Sequence, residues 1–204
     1  MRPLLDADQQ SAVAEGLAAG RAESWAALYD AYADEVWRYV ARLLGGDRHA
    51  IADVVQETML AAAQSARRFD PRRGALSSWL MGIAHRQAAL HVRKAMRGPG
   101  TGVDAVARAA DGAPSGPQEL QRREQAERIR QALANMPADY AWLLVAKYVD
   151  EQSIDAMSTQ LNAGAEAVRS KLARARRLFR QSLGRPPRAV AVVSNEPVRK
   201  DPDE

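Results

Sequence analysis

The sequence contains no cysteine. Disulfide bonds, thiolate metal sites and a cysteine nucleophile are therefore excluded, and the absence fits a reducing cytoplasm. No apolar run approaches the ~18 residues needed to cross a bilayer. The stretch that begins Met1-Arg-Pro-Leu-Leu-Asp6 also becomes polar too soon for the apolar core of a signal peptide. We therefore expect a cytoplasmic protein without membrane insertion.

The sequence also lacks a recognisable set of catalytic groups. It has no phosphate-binding glycine loop, no metal-ligand cluster and no nucleophile–base pair. His85 and His91 have poor spacing for two metal ligands on one helix, and no third ligand lies nearby. We predict that the chain is not an enzyme and needs no metal or other cofactor.

The composition and the periodicity that are present favour a globular helical protein. Hydrophobic residues make up 47% of the chain and charged residues 26%, which is typical of a packed globular fold. Apolar residues recur at helical spacing in nearly every segment, whereas no segment alternates as a strand would. We predict an all-α fold without internal repeats.

A stretch rich in glycine and proline divides the helical pattern into two blocks. Eight of the twenty residues from Gly98 to Pro117 are Gly or Pro, and the periodicity fades there. Such a segment buries too little surface to offset its ordering entropy, so we predict a flexible linker. The predicted organisation is a partly helical amino-terminal extension (1–22), a helical domain (23–97), the linker (98–118), a second helical domain (119–183) and a disordered tail (184–204).

Local signals predict where the helices of the first domain begin and end. A long apolar stripe that includes Tyr29 should end at Gly45, because glycine readily adopts the backbone conformation of helix ends. Asp47 is suited to cap the next helix, and Ser77 or Ser78 is suited to cap a third.

The second domain predicts a helix-turn-helix. Ser153 can cap a short helix, and Asn162 suits the turn because asparagine tolerates a left-handed backbone. A longer helix from about Ala165 to Leu183 follows, as the motif requires. This helix carries six arginine or lysine residues and a single acid, whereas the whole chain has a formal net charge of only +4.

The position of these charges indicates DNA binding. In this motif, residues near the start of the second helix face base edges in the major groove, and cations hold the phosphates. We predict base reading by Glu166, Arg169 and Ser170, and phosphate binding by Lys171, Arg174 and Arg177. A solvated basic face on a small helical bundle would have the same composition, so the pattern alone leaves that alternative open.

Several motifs resemble conserved regions of the sigma-70 family of bacterial transcription initiation factors. Those in the first domain are Asp53-Val-Val-Gln-Glu-Thr-Met59, Arg67-Arg-Phe-Asp-Pro-Arg-Arg-Gly74 and Trp79-Leu-Met-Gly-Ile-Ala-His85, and they resemble the second region. The second domain resembles the fourth region, from Leu133-Ala-Asn-Met-Pro137 through Ala165-Glu-Ala-Val-Arg-Ser-Lys-Leu-Ala-Arg-Ala-Arg176. These two regions alone, in this order, are similar to the compact extracytoplasmic-function (ECF) subgroup.

The resemblance implies partners and site residues. The second region docks on the clamp helices of core RNA polymerase and melts promoter DNA near position −10, and the fourth region binds the −35 element and the polymerase flap. The implied polymerase-binding residues are Asp53, Gln56 and Glu57. The implied −10 residues are Arg67, Arg68, Phe69, Arg72 and Arg73 in a base-capturing loop, with His85, Arg86, Gln87, Arg93 and Lys94 on the next helix. Family membership also implies an anti-sigma factor as regulator.

Other interpretations of these residues remain. Phe69 is at least as well suited to anchor its loop in the core as to stack on a base, and core packing is the better prediction for Trp79. Departures from the family pattern, such as Leu90 in place of an aspartate, bear on which promoter is recognised. The chain as a whole could instead be a stand-alone helix-turn-helix regulator, or an interaction protein that occupies polymerase without reading DNA.

Overall fold

The structure is a computed structural model that describes residues 5–71, 74–97 and 116–183. Every regular element within these ranges is helical, which confirms the predicted all-α fold. The elements are α1 (Ala7–Ala18), α2 (Ala22–Leu44), α3 (Arg48–Ser65), a short 3₁₀ turn η1 (Ala66–Arg68), α4 (Leu76–Arg97), α5 (Pro117–Ala134), α6 (Ala138–Tyr148), α7 (Ile154–Leu161) and α8 (Ala165–Leu183). Arg72, Arg73, the predicted tail and nearly all of the predicted linker lie outside the described residues. None of the described helices has the length and apolar character of a membrane span.

Helices α1 to α4 form the amino-terminal module. The inner face of α2 carries Leu28, Tyr32 and Val36, each almost completely buried. Tyr29 was predicted on this face but is 56% exposed, because it lies one position round the helix from the buried row. Tyr39, which the predicted stripe omitted, is buried instead.

The predicted helix boundary between α2 and α3 is confirmed. Helix α2 ends at Leu44, and Gly45 has a φ of +83°, a left-handed value that L side chains rarely adopt. The Asp47 side chain then accepts hydrogen bonds from the backbone N–H groups of His49 and Ala50, both at 3.0 Å. These contacts satisfy two of the free donors at the start of α3.

Helix α1 is better defined than the sequence predicted. Asp6 and Gln9 exchange reciprocal side-chain to backbone hydrogen bonds, which is a capping box. Val13, Ala14 and Leu17 are buried in the core, and α1 packs against α2 and η1. The amino-terminal segment is thus an integral part of the first module.

Helices α5 to α8 form the carboxy-terminal module. Residues 141–146 of α6 are buried in succession. The Ser153 hydroxyl accepts a hydrogen bond from Ala156 N at 3.0 Å, and Asn162 ends α7 with φ 49° and ψ 50°. Both confirm the predicted cap and turn of the helix-turn-helix. Val168, Leu172 and Ala175 fix α8 on the module.

The two modules pack directly against each other. Helix α4 contacts α5, α6 and α7, and α2 contacts α5 and α6. Buried residues from both modules belong to one continuous hydrophobic cluster. Sequence patterns predicted two helical blocks but contained no signal for this contact.

Candidate polymerase and promoter interfaces

Helix α3 presents the predicted polymerase-binding residues on one exposed face. Asp53, Gln56 and Glu57 are all exposed, and their i, i+3 and i+4 spacing places them side by side. The opposite face holds Val54, Val55 and Thr58 in the core. The sequence therefore orients two carboxylates and an amide outward, where they can bind a cationic partner.

The predicted base-capturing loop begins at η1. Arg67 and Arg68 are exposed, so their guanidinium groups are available to phosphates. Phe69 is half-buried, and its ring centroid lies 5.3 Å from that of Trp79 at an interplanar angle of 49°. Both rings pack against the hydrophobic core, as predicted for Trp79 and as the alternative interpretation of Phe69 proposed.

Helix α4 carries the predicted −10 residues that follow the loop, and these residues differ in their exposure to solvent. Arg86 and Lys94 are exposed, and Gln87 and Arg93 are half-buried. His85, by contrast, is only 6% exposed. In this arrangement its ring is therefore out of reach of DNA.

Two hydrogen bonds indicate the protonation state and tautomer of the His85 ring. Its Nε2 lies 2.9 Å from the carbonyl oxygen of Met136, and its Nδ1 lies 2.8 Å from the Tyr39 hydroxyl. A carbonyl only accepts, so Nε2 donates and Nδ1 of the neutral ring accepts from Tyr39. Burial lowers the pKa of His85, and Arg93 acts in the same direction, whereas the bond to Met136 opposes them. The neutral imidazole fits both partners.

An open groove of about 750 Å³ lies between α3 and α4. Its lining includes Glu57 from the predicted polymerase set, with Gln87, Arg93 and Lys94 from the predicted −10 set. The groove is also lined by Leu90, 48% exposed, which departs from the family pattern, and by Leu60, 58% exposed, which no motif indicated. The signal for Leu60 was present in the sequence, because it follows Gln56 and Glu57 at helical spacing on their polar face.

Helix α8 presents all of its predicted DNA-binding residues to solvent; they are Glu166, Arg169, Ser170, Lys171, Arg174 and Arg177. Arg169 pairs with Glu166 at 3.3 Å, and Lys171 pairs with Asp139 of α6 at 3.4 Å. Exposed ion pairs of this kind contribute little stability, so phosphates can replace the carboxylates at small cost. The outer face of α8 is a continuous cationic surface.

Each module matches the sequence model of a known protein family. The family Sigma-70 region 2 matches residues 28–98, and the family Sigma-70, region 4 matches residues 126–179. The chain is also 31% identical over 172 residues to the ECF RNA polymerase sigma factor SigL of Mycobacterium tuberculosis (strain ATCC 25618 / H37Rv), which covers 83% of this chain and 96% of SigL. The chain belongs to the ECF sigma factors of the sigma-70 family. The presence of both regions makes it a sigma factor and not a stand-alone helix-turn-helix regulator.

Further relatives resemble this sigma factor along most of its length. The ECF RNA polymerase sigma factor SigW of Bacillus subtilis (strain 168) is 26% identical over 174 residues, which cover 80% of this chain and 91% of SigW. Among solved structures, CnrH in complex with the cytosolic domain of CnrY is 20% identical, covers 87% of this chain and 97% of that chain, and has a TM-score of 0.45.

Proposed function

We propose that this sigma factor docks on core RNA polymerase through α3, contacts the −10 element with the η1 loop and α4, and reads the −35 element with α8. As a non-catalytic factor of the cytoplasm, it would supply promoter specificity to the polymerase. The observation that carries the proposal is the exposed cationic face of α8. Helix α7, which Ser153 caps, and the left-handed turn at Asn162 precede α8 and complete the helix-turn-helix.

The −35 role is supported by the geometry of α7 and α8. Arg169 and Ser170 lie in the first turns of α8, which the helix-turn-helix places closest to base edges. Arginine pairs with guanine through two hydrogen bonds, so Arg169 is the residue we expect to carry sequence preference. Arg174 and Arg177 lie further along the helix, where phosphate contacts position the protein.

The polymerase and −10 roles are supported by the proximity of the two predicted residue sets. Glu57 and Lys94 line the same groove between α3 and α4. A polymerase segment bound on the acidic face of α3 would therefore lie beside the promoter strand bound on α4. Arg67 and Arg68 extend the cationic surface toward the loop.

Run-off transcription with bacterial core RNA polymerase tests the proposal. We expect the sigma factor to direct discrete transcript starts from genomic fragments, and Arg169→Ala combined with Arg174→Ala to abolish them. Arg128→Ala, which removes an exposed arginine of α5, is the matched control and should leave the starts unchanged. Absence of any specific start with the unaltered protein would contradict the proposal.

The proposal extends to an anti-sigma factor that covers the α3 or α8 surfaces. A purified regulator should compete with core polymerase for the sigma factor in a gel-filtration assay. Substitution of Asp53 and Glu57 by alanine should weaken polymerase binding, and it should weaken regulator binding as well if the regulator occupies α3.

A further inference from the structure

We propose that helix α1 is a positioning element for the −10 contacts, and that Gln10 is the residue through which it acts. The inference rests on the proposed function and adds to it a residue outside the predicted −10 set. Helix α1 contacts both η1 and α4, which are the two elements that carry the proposed −10 residues. The amino-terminal helix thus supports both parts of this DNA-binding surface.

The side-chain amide of Gln10 is engaged at both of its ends. Its Nε2 donates to the backbone oxygen of Leu5 at 3.0 Å, and its Oε1 accepts from the backbone N–H of Leu76 at 3.1 Å. An amide that donates from its nitrogen and accepts at its oxygen has one orientation that satisfies both partners. The Gln10 side chain therefore ties the start of α1 to the start of α4.

Helix α1 is itself firmly held. The capping box of Asp6 and Gln9 closes its first turn immediately before Gln10. Val13 and Leu17, on the following turns, are buried in the core of the first module. Gln10 therefore projects from a fixed support, and its bond to Leu76 can hold α4 in place.

The segment that precedes α4 also rests on α1. Ala66, the first residue of η1, is 2% exposed, and η1 packs against α1. Phe69 follows η1, and its ring lies 5.3 Å from that of Trp79 in the first turn of α4. Helix α1, η1 and the start of α4 thus form one packed unit. A displacement of α4 would change the position of Arg67 and Arg68 relative to the cations of α4.

The start of α4 depends on Gln10 because the adjacent serine is engaged elsewhere. Leu76 is the first residue of α4, so its N–H has no acceptor within the helix. The buried Ser77 hydroxyl donates to the backbone oxygen of Gln160 at 2.7 Å. Gln10, which lies 66 positions away along the chain, supplies the acceptor instead. Loss of this amide should loosen the first turn of α4.

This support should matter most when the −10 element is melted. Removal of a base from the duplex is unfavourable, and groups already in place to receive the base and its phosphates offset the loss. Attraction to the phosphates of intact duplex depends mainly on charge and tolerates small displacements. One hydrogen bond of ordinary strength changes the population of correctly arranged molecules by roughly fivefold. We therefore expect Gln10 to affect binding of the melted strand and not of the duplex.

Two labelled promoter probes test this expectation with the full chain assembled on core RNA polymerase. One probe has a fully paired −10 element, and the other leaves the non-template strand of that element unpaired. The unaltered protein should bind the unpaired probe more tightly. Gln10→Ala should reduce this ratio of affinities by roughly fivefold and leave the affinities for core polymerase and for the paired probe unchanged.

Matched variants separate positioning from general loss of stability. Gln10→Glu keeps an acceptor for the Leu76 N–H and should retain most of the ratio. Asp47→Ala removes the cap of α3, which does not carry the −10 residues, and should cost a similar amount of stability without changing the ratio. Melting curves establish that each variant is folded in the assay. Where Gln10→Ala folds poorly, Gln10→Met, which keeps the side-chain length and lacks the acceptor, takes its place.

The outcomes distinguish this inference from the proposed function. Equal weakening of both probes by Gln10→Ala, or an unchanged ratio, would overturn the positioning role. So would the same loss of ratio in Asp47→Ala, or a loss in Gln10→Glu as large as in Gln10→Ala. If the unaltered protein on core polymerase showed no preference for the unpaired probe, the proposed −10 role itself would be overturned.

Discussion

The side-chain oxygen of Gln10 accepts a hydrogen bond from the backbone N–H of Leu76, at a distance of 3.1 Å. Gln10 lies in α1, whereas Leu76 is the first residue of α4. The sequence predicted that Ser77 or Ser78 would cap this helix, and that prediction is wrong: both serines lie inside α4, and the Ser77 hydroxyl bonds to Gln160 instead. A residue distant in sequence therefore caps the first turn of the helix that follows the predicted base-capturing loop.

Replacement of Gln10 should destabilise the first module. Gln10→Ala leaves the Leu76 N–H without its acceptor, so we expect the free energy of unfolding to fall by about 1 kcal/mol. Urea denaturation followed by circular dichroism measures this. Gln64→Ala, at an exposed position of α3, is the control and should change the free energy much less. Equal effects for the two variants would show that the bond contributes nothing.

The crossing of α1 and α2 should tolerate no side chain at Gly16. A Cβ there would lie 2.7 Å from Ser24 Cβ and closer still to Ser24 Oγ. We expect Gly16→Ala to cost about 1–3 kcal/mol of stability, the usual range for overpacking. Gly82→Ala is the control, because a Cβ at this α4 position meets no atom within 4 Å. It should gain up to about 1 kcal/mol from helix propensity. Thermal melts of both variants, and of Gly16→Ala in a Ser24→Gly background that removes the clash, check this.

The stability of the folded chain should depend on pH in a way that one substitution makes visible. Burial, with Arg93, lowers the pKa of His85 in the folded protein, so His85 contributes stability above its unfolded-state pKa of about 6.5 and loses it as the pH falls. Burial raises the pKa of Glu35, so the stability that Glu35 contributes is lost as the pH rises. Glu35→Gln removes this opposing effect. The free energy of unfolding of Glu35→Gln, measured by urea denaturation, should therefore fall more steeply than that of the unaltered protein as the pH drops from 8 to 5.

Charged neighbours and a double variant provide the control for this pH effect. Arg38 and Asp150 affect the pKa of Glu35, and Tyr39 bonds to the His85 ring. All three remain in both variants. Glu35→Gln combined with His85→Gln should show a shallower pH profile than Glu35→Gln over the same range. Equal profiles for the two variants would mean that the His85 ring does not contribute to the pH dependence.

Single arginines of α8 should differ in what they do at the promoter. Arg174→Ala should weaken promoter binding by the polymerase complex about equally for all −35 sequences and reduce the log–log salt slope by about 1. Arg169→Ala should instead relax the preference among −35 sequences, because base contacts carry specificity. Fluorescence anisotropy with labelled promoter duplexes at several salt concentrations distinguishes these effects, with Arg128→Ala as the unaffected control. Identical behaviour of the two α8 variants would contradict the assigned roles.

Much of the local structure was predictable from neighbouring residues. The caps at Asp47 and Ser153 and the left-handed turn at Asn162 follow from contacts within a few positions along the chain. The exposed sets on α3 and α8 follow from helical periodicity combined with the family motifs. The burial of His85 and the exposure of Tyr29 were not predictable in this way.

The sequence by itself determined the helices, the two modules and the surfaces that face solvent, because helix formation depends on capping groups and periodicity within about four residues. Only the tertiary structure decided the cap from Gln10, the partners of His85 and the docking of one module on the other. Those contacts join residues separated by 46 to 83 positions. Which of them form depends on how whole helices pack, and no local pattern of residues encodes that.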